Sequence, residues 1–135
     1  MTGKLDEVLR FHQDALDVRA HRQQLLASNI ANADTPGYKA RDIDFAQAMQ
    51  NAVSLRAGQA SPGLVKTSSN HLQSRDGGIF GVAPQYRVPT QASIDGNTVE
   101  MNQERAAFSE NAIHYEANLT FINHKLKLLL AAIQG

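Results

Sequence analysis

Apolar residues recur at alternating spacings of three and four along the last third of the chain. After Met101 and the polar Arg105, the series runs through Phe108, Ala112, Tyr115, Leu119, Ile122, Leu126, Leu129 and Ile133. A repeat held over roughly four heptads is typical of a long helix that packs along a coiled-coil seam. We therefore predict one helix that begins between Asn97 and Gln103. Asn97 with Glu100 is a candidate capping box for it, and Asn102 is an alternative cap.

The first third of the chain carries two neighbouring apolar series. They are Leu5, Leu9, His12, Leu16, Arg19, Gln23, Leu26 and Ile30, and beside them Val8, Phe11, Ala15, Val18, Arg22, Leu25 and Asn29. Polar residues interrupt each series, but together they form a face wider than one coiled-coil seam. Such a face favours contact with more than one neighbour. A helix over this third is also predicted.

The two terminal helices are predicted to pair as an antiparallel coiled coil. The predicted interface comprises Leu5, Leu9, Leu16, Leu26 and Ile30 from the first helix and Phe108, Tyr115, Leu119, Ile122, Leu126, Leu129 and Ile133 from the last. A single helix pair is only marginally stable in water. We therefore expect the ends to gain stability from packing against other chains.

The middle of the chain shows shorter patterns. The segment RDIDFAQAMQNAVSLRA predicts a short helix capped by Asp42 or Asp44, with Phe45, Met49 and Val53 on its buried side.

Beyond a Gly- and Pro-containing break, LVKT (64–67) and QYRVPT (85–90) have strand character and are separated by an Asp-Gly turn. The expected fold is mainly α, with an irregular middle that holds a short β-hairpin. Its three regions are predicted to be 1–32, 33–98 and 99–135.

The segment SNIANADTPGYKA, which follows the first apolar series, combines several helix-ending residues. Asparagine suits a helix terminus because its amide bonds to backbone groups and it tolerates left-handed dihedral angles. Pro36 pushes Thr35 into an extended conformation. Pro-Gly is favoured at the centre of a type II turn. We predict a sharp turn set by Asn29, Asn32, Thr35, Pro36, Gly37 and Tyr38.

Composition narrows the class of protein. The 135 residues contain 13 Lys and Arg and 13 Asp and Glu, so the basic excess of a nucleic-acid-binding surface is missing and no nucleic-acid partner is expected. The absence of cysteine excludes disulfides and thiol catalysis. Apolar runs are too short for a membrane span, and the first residues do not resemble a cleavable signal. We expect no membrane insertion, and if the protein leaves the cytosol, we expect a route that does not cleave a signal.

Candidate catalytic and metal-binding residues are few. His12 and His21 are nine residues apart and His114 and His124 ten, so neither pair has the spacing of a helical chelate. The glycines of DGGIFG lack the lysine of a phosphate loop. We predict neither a metal nor a cofactor nor an enzymatic activity.

The turn segment resembles the signature of the rod and hook axial proteins of the bacterial flagellum, in which Asn-Ile-Ala-Asn leads into Thr-Pro-Gly-Tyr. The similarity continues through ARDIDF and through DGNTVEMNQERAAFSENAIHYEANLTFINHKLKLLLAAI, and covers about residues 5–56 and 93–135. Both ends and the length are similar to those of proximal-rod subunits. A FlgC-like rod protein is the alternative within this class, and a small helical adaptor or chaperone is the alternative outside it.

The resemblance implies a structural subunit of the periplasmic rod of the flagellar basal body, exported unfolded by the flagellar type III system and assembled helically into the drive shaft. Its implied partners are further copies, the rod proteins FlgC, FlgF and FlgG, and FliE at the rod base, close to the inner-membrane MS ring and export gate. It also implies an export element of the form Phe-x-x-x-hydrophobic. Phe45 and Met49 are the candidate here, with ordinary packing as the alternative role of Phe45.

Overall fold

The computed structural model describes residues 2–58 and 78–135. The helices are α1 (Thr2–Ala31), α2 (Phe45–Arg56) and α3 (Met101–Gln134), and the strands are β1 (Arg41–Asp42) and β2 (Gln85–Tyr86). α1 and α3 run antiparallel, because His12 bonds to Asn118 near one end and Asn29 bonds to Glu104 near the other. The prediction of a mainly α fold with paired terminal helices and a small antiparallel sheet is confirmed.

The largest apolar cluster lies beside α1 rather than between the two long helices. It joins Ala15, Val18 and Leu25 of α1 to Ile43, Ala48, Met49 and Val82, with Phe45, Ile79 and Phe80 packed at its edge. Among the described residues this cluster contains no side chain of α3. The wide apolar face predicted for α1 is therefore shared, with one side given to the middle segment and the other to α3.

The short helix α2 forms where the pattern predicted it, and one of its two candidate caps is the observed one. The carboxylate of Asp44 accepts a hydrogen bond from the backbone N–H of Gln47 at 3.0 Å. Asp42 belongs to β1 instead. Met49 is buried as predicted, whereas Val53 is exposed and Ala52 is buried instead. The buried face is thus rotated by one position from the predicted one.

The observed sheet pairs one predicted strand with a segment that the sequence did not predict to be a strand. Gln85–Tyr86 does form a strand, but its antiparallel partner is Arg41–Asp42, with Arg41 opposite Tyr86 and Asp42 opposite Gln85. The LVKT segment at 64–67 lies outside the described residues. The sheet therefore ties the segment after the turn to the segment that leads into α3.

α3 begins at Met101, within the predicted range, but its N-terminal cap differs from the prediction. Glu100 is the N-cap residue, and within the described chain its side chain makes no capping bond. Instead its carboxylate accepts a hydrogen bond from the backbone N–H of Thr90 at 2.9 Å. Asn97 is turned towards the end of α1, and Asn102 is exposed in the first turn of α3. Both predicted caps are therefore wrong, because tertiary partners recruit the side chains of Asn97 and Glu100.

Candidate assembly site at the signature turn

The turn after α1 is built as its chemistry predicts. The backbone N–H of Asn32 bonds to the carbonyl of Ser28 as the last helical bond, and the Asn32 amide donates to the same carbonyl at 2.8 Å. The N–H of Tyr38 bonds to the carbonyl of Thr35 at 3.3 Å, with Gly37 between them at φ 71°. This bond and the positive φ at the third residue define the type II turn predicted for Pro36-Gly37.

Asn29 connects the end of α1 to β1. Its amide nitrogen donates to the carbonyl of Arg41 at 2.8 Å, and its amide oxygen accepts from the N–H of the same residue at 3.1 Å. The side chain thus imitates a peptide group in a β-ladder. The Tyr38 hydroxyl donates to the same amide oxygen, and Glu104 of α3 accepts from the nitrogen at 3.1 Å. Asn29 is buried with both polar atoms satisfied, which is what a buried amide requires.

Asn97 holds the turn from the other side. Its amide nitrogen lies 3.0, 2.9 and 2.8 Å from the carbonyl oxygens of Asn32, Ala33 and Thr35. These carbonyls belong to the chain just past α1, where the helix leaves acceptors without internal partners. The buried Asn97 therefore acts as a C-terminal cap for a helix that ended more than sixty residues earlier in sequence.

The loop 95–98 is bound to the turn 35–40, and we call this arrangement the clamp. Backbone groups take part in it as well as the Asn97 side chain. The N–H of Gly37 donates to the carbonyl of Asp95 at 2.9 Å, and the N–H of Thr98 donates to the carbonyl of Tyr38 at 3.0 Å. The N–H of Ala40 donates to the Thr98 hydroxyl at 2.8 Å. The turn is consequently fixed in orientation against the start of α3.

A network of ion pairs lies under the clamp. Asp42 accepts from Arg22 at 3.0 and 3.1 Å and from Arg87 at 2.8 Å, and Arg87 also pairs with Glu104. The network carries two positive and two negative charges. The side chain of Glu104 is 0% exposed, so its charge is tolerated only because Arg87 and Asn29 bond to it. The network joins α1, β1, the segment after β2 and α3.

The charges and hydrogen bonds of this network change the pKa of Asp42. Its burial would raise the pKa of the carboxyl, but the hydrogen bonds and charge of Arg22, the N–H of Ile43 and the Arg87 guanidinium outweigh burial and hold the pKa below its ordinary value. Asp14 shows the opposite balance. Its pKa is raised because burial outweighs the charge of Arg56, with which it pairs.

The contact between α1 and α3 is polar along a single stripe of α3. Glu104, Asn111 and Asn118 are seven residues apart, so all three face α1. The Asn111 amide donates to the carbonyl of Arg19 at 2.8 Å and to the side chain of Gln23 at 2.7 Å.

The next step of this stripe uses a histidine. Asn118 donates to the carbonyl of His12 at 2.9 Å and accepts from the Nδ1–H of the same residue at 2.6 Å. Because an amide oxygen only accepts, this contact determines the tautomer of the His12 ring. Each hydrogen bond pairs one residue of α3 with one position along α1. The stripe therefore specifies a single register between the two helices.

The predicted coiled-coil residues are divided between buried and exposed positions. In α1, Leu26 is fully buried and Leu5, Leu9, Leu16 and Ile30 are half-buried; in α3, Phe108, Tyr115, Ile122 and Leu129 are half-buried. Leu119, Leu126 and Ile133 are exposed at 38%, 43% and 82%. The apolar series therefore lies at the edge of the helix pair, beside the polar stripe.

The candidate export element packs into the core. Met49 is buried, and Phe45 lies at the edge of the core cluster with the Arg19 guanidinium 4.2 Å from its ring centroid. In the folded chain, the Met49 side chain is covered and that of Phe45 is partly covered.

Sequence reasoning missed the roles of Asn97, Arg87 and Asn111. The seven-residue spacing of Glu104, Asn111 and Asn118 was a usable signal, because polar residues at one heptad position mark a helix interface with a defined register. Asn97 and Arg87 gave no such local signal. Within 2–58 and 78–135, no group of three potential metal ligands converges and no helix is long and apolar enough to cross a membrane.

Comparisons with known proteins agree with this architecture. A family model described as flagella basal body rod protein matches residues 9–39, which contain the signature turn. The chain is 47% identical to the flagellar basal body rod protein FlgB of Salmonella typhimurium strain LT2 across 100% of this chain and 99% of that protein. It is 43% identical to FlgB of Escherichia coli K12 across 100% and 99%, and 46% identical to FlgB of Aeromonas hydrophila across 100% and 98%. The chain therefore belongs to the FlgB family, structural rather than enzymatic subunits of the flagellar basal body rod.

Proposed function

We propose that this rod subunit belongs to the proximal part of the rod, on the periplasmic side of the inner membrane, and enters it after unfolded export through the flagellar type III apparatus. There its terminal helices pack beside those of neighbouring subunits to form an inner tube of the drive shaft. The turn and its clamp set the direction in which the middle segment leaves that tube.

The observation that carries this proposal is the uncovered apolar edge of the helix pair. Leu119, Leu126 and Ile133 lie on one stripe of α3, and Ile133 is 82% exposed. A contiguous apolar surface of this kind marks an interaction site in a soluble protein. Much of the apolar face of α1 packs in the core with α2 and is not available to other chains. The exposed edge is therefore best covered by helices of other subunits.

The proposed neighbours are those that the resemblance to flagellar axial proteins implies. A rod protein associates with other axial components of the flagellum. We propose FlgC, FlgF and FlgG as the neighbouring rod subunits and FliE at the rod base, near the MS ring and the export gate.

The purified full-length chain tests the assembly proposal. At micromolar concentration we expect low helicity by circular dichroism and rapid proteolysis at both ends, because the exposed edge lacks its partners. Addition of the osmolyte TMAO should raise helicity, since it favours burial. A monomer with a sharp cooperative melting transition and protected ends would contradict the proposal and favour a self-contained adaptor.

Phe45 and Met49 are proposed as the export element. Because both pack against the core when the chain is folded, the element is accessible only while this segment is unfolded. Phe45→Ala should therefore accumulate in the cytoplasm, measured by immunoblot of cell and secreted fractions. Arg19→Gln is the matched control, since it removes the contact over the ring and keeps the phenylalanine. Normal secretion of Phe45→Ala would leave packing as the role of this residue.

A further inference from the structure

α3 projects beyond α1 and ends in an apolar tip. His12 and Asn118 are level with each other because they are hydrogen-bonded across the pair. α1 begins ten residues before His12, whereas α3 continues sixteen residues beyond Asn118. About six residues of α3, roughly 9 Å, therefore project past α1. Leu126, Leu130 and Ile133 lead into this tip, and all three are exposed.

An apolar groove lies nearer the other end of the same helix pair. It encloses about 460 Å³ between α1 and α3. Its lining includes the small side chains of Ala20, Ala27 and Ala112 and the aromatic rings of Phe108 and Tyr115. Because alanine fills little space, the groove has room for branched aliphatic side chains of another helix.

The tip and the groove share one face of α3. Leu126, Leu130 and Ile133 follow Phe108, Ala112 and Tyr115 by eighteen residues each, which is five turns at 3.6 residues per turn. The two triplets therefore have the same orientation around the helix axis and lie about 27 Å apart along it. A second copy that is turned to face the first, and displaced along the axis by this distance, brings its tip level with the groove.

Charge favours the same displacement. The acidic residues of α3 fall in its first half and the lysines near its end, at Lys125 and Lys127. A displacement of eighteen residues places Lys125 and Lys127 of one copy at the levels of residues 107 and 109 of the other, in its acidic first half. Opposite charges at one level favour this arrangement over contacts between like ends of two copies.

We propose that the tip of α3 in one copy seats in the groove between α1 and α3 of a second copy, as a head-to-tail contact. The proposal rests on the assembly role proposed above and adds which two surfaces meet. Because the two surfaces are different, the contact does not close as a twofold dimer. Repetition of it generates an open helical series.

Cross-linking tests the contact directly, since the chain contains no cysteine of its own. Two full-length variants, Ala20→Cys and Ile133→Cys, carry different epitope tags and are coexpressed in flagellated cells that lack the native gene. A thiol cross-linker should give a doubly tagged dimer at least about five times more abundant than with Thr120→Cys, an exposed position elsewhere around α3.

Three results would overturn the proposal. The doubly tagged dimer is no more abundant than with Thr120→Cys; Ile133→Cys alone forms dimers, which would mean that tips meet each other; or Ile133→Cys links only to a different rod protein. Any of these would leave the assembly role itself intact.

Complementation separates this inference from the proposed function. In a deletion strain, Ile133→Asp should reduce swarming to the level of the deletion, while the control Gln134→Asp should swarm as the parent does. Both positions are exposed, so both variants should keep the parent's soluble level. Full swarming with Ile133→Asp would overturn the tip contact. Full swarming of the deletion strain would instead overturn the proposed function.

Discussion

The side-chain amide of Asn97 lies 2.8 Å from the carbonyl oxygen of Thr35, although 62 residues separate them in sequence. This contact places the loop before α3 directly on the turn after α1. It makes the geometry of the signature turn dependent on a residue outside the signature. The consequence is that the turn and the start of α3 form one structural unit.

Removal of the Asn97 side chain should destabilise that unit. Asn97→Ala leaves three carbonyl oxygens without this donor and should cost about 1–3 kcal/mol of folding free energy. The measurement is a TMAO-induced folding titration followed by circular dichroism. Asn102→Ala, an exposed asparagine in the first turn of α3, is the control and should leave the midpoint unchanged. Equal midpoints for the two variants would show that the cap is dispensable.

Gly37→Val should block incorporation into the rod without reducing synthesis. Gly37 has φ 71°, and a β-branched residue resists this left-handed region by about 1–2 kcal/mol. A Cβ here would meet open space among the described residues, so the cost is conformational rather than steric. Gly37→Asn should incorporate far better, because asparagine visits this region. Immunoblots of isolated basal bodies measure the outcome, and equal incorporation of both variants would contradict it.

Asn111→Leu should leave the helix pair as stable or more stable while it loosens the register. Replacement of a buried polar residue at a heptad interface by leucine adds apolar contact and removes the bonds that choose one alignment. Spin labels at Gln13→Cys and Thr120→Cys report the alignment through their distance distribution in TMAO. We expect one narrow distance in the parent and a broad distribution in the variant. Asn123→Leu, an exposed asparagine of α3, should keep the narrow distance.

The ion-pair network should make folding acid-sensitive through Asp42. Its pKa in the folded chain is below the ordinary value of 3.8, so its stabilising contribution is complete above that value and is lost as pH falls through the folded pKa. Asp14, whose pKa is raised, contributes with the opposite sign.

Asp42→Asn isolates the first effect. At neutral pH it should cost about 3 kcal/mol, because Arg22 and Arg87 lose a charged partner in a partly buried site. TMAO titrations between pH 7 and pH 3 should show the difference between parent and variant shrinking towards low pH. A constant difference across this range would show that the Asp42 charge has no part in stability.

Much of the fold was accessible to sequence reasoning because the relevant signals are local. Heptad spacing placed α1 and α3 to within two residues of their observed ends, and Asp44 marked the start of α2. The Pro36-Gly37 turn followed from the dihedral preferences of two residues. The caps of α3 were mispredicted, and the pairing of β2 with β1 was not foreseen. Asn97 and β2 bind partners far away in the chain, and no short window contains both sides of those contacts. Glu100 binds Thr90 across an irregular loop of ten residues, which has no periodic pattern to predict the contact.

The sequence by itself determined that two long helices end the chain, that a hard turn follows the first, and that the family is that of flagellar axial proteins. Only the tertiary structure decided that the polar residues of α3 face α1, that the apolar series lies at the edge, and that Asn97 caps α1. The physical reason is that periodicity shows which residues share a face of a helix. Which segment packs against that face depends on all the other segments that could bind there in the folded chain. In α3, the buried position goes to Glu104 and Asn111 because α1 and Arg87 present them with donors and acceptors that leucine cannot use.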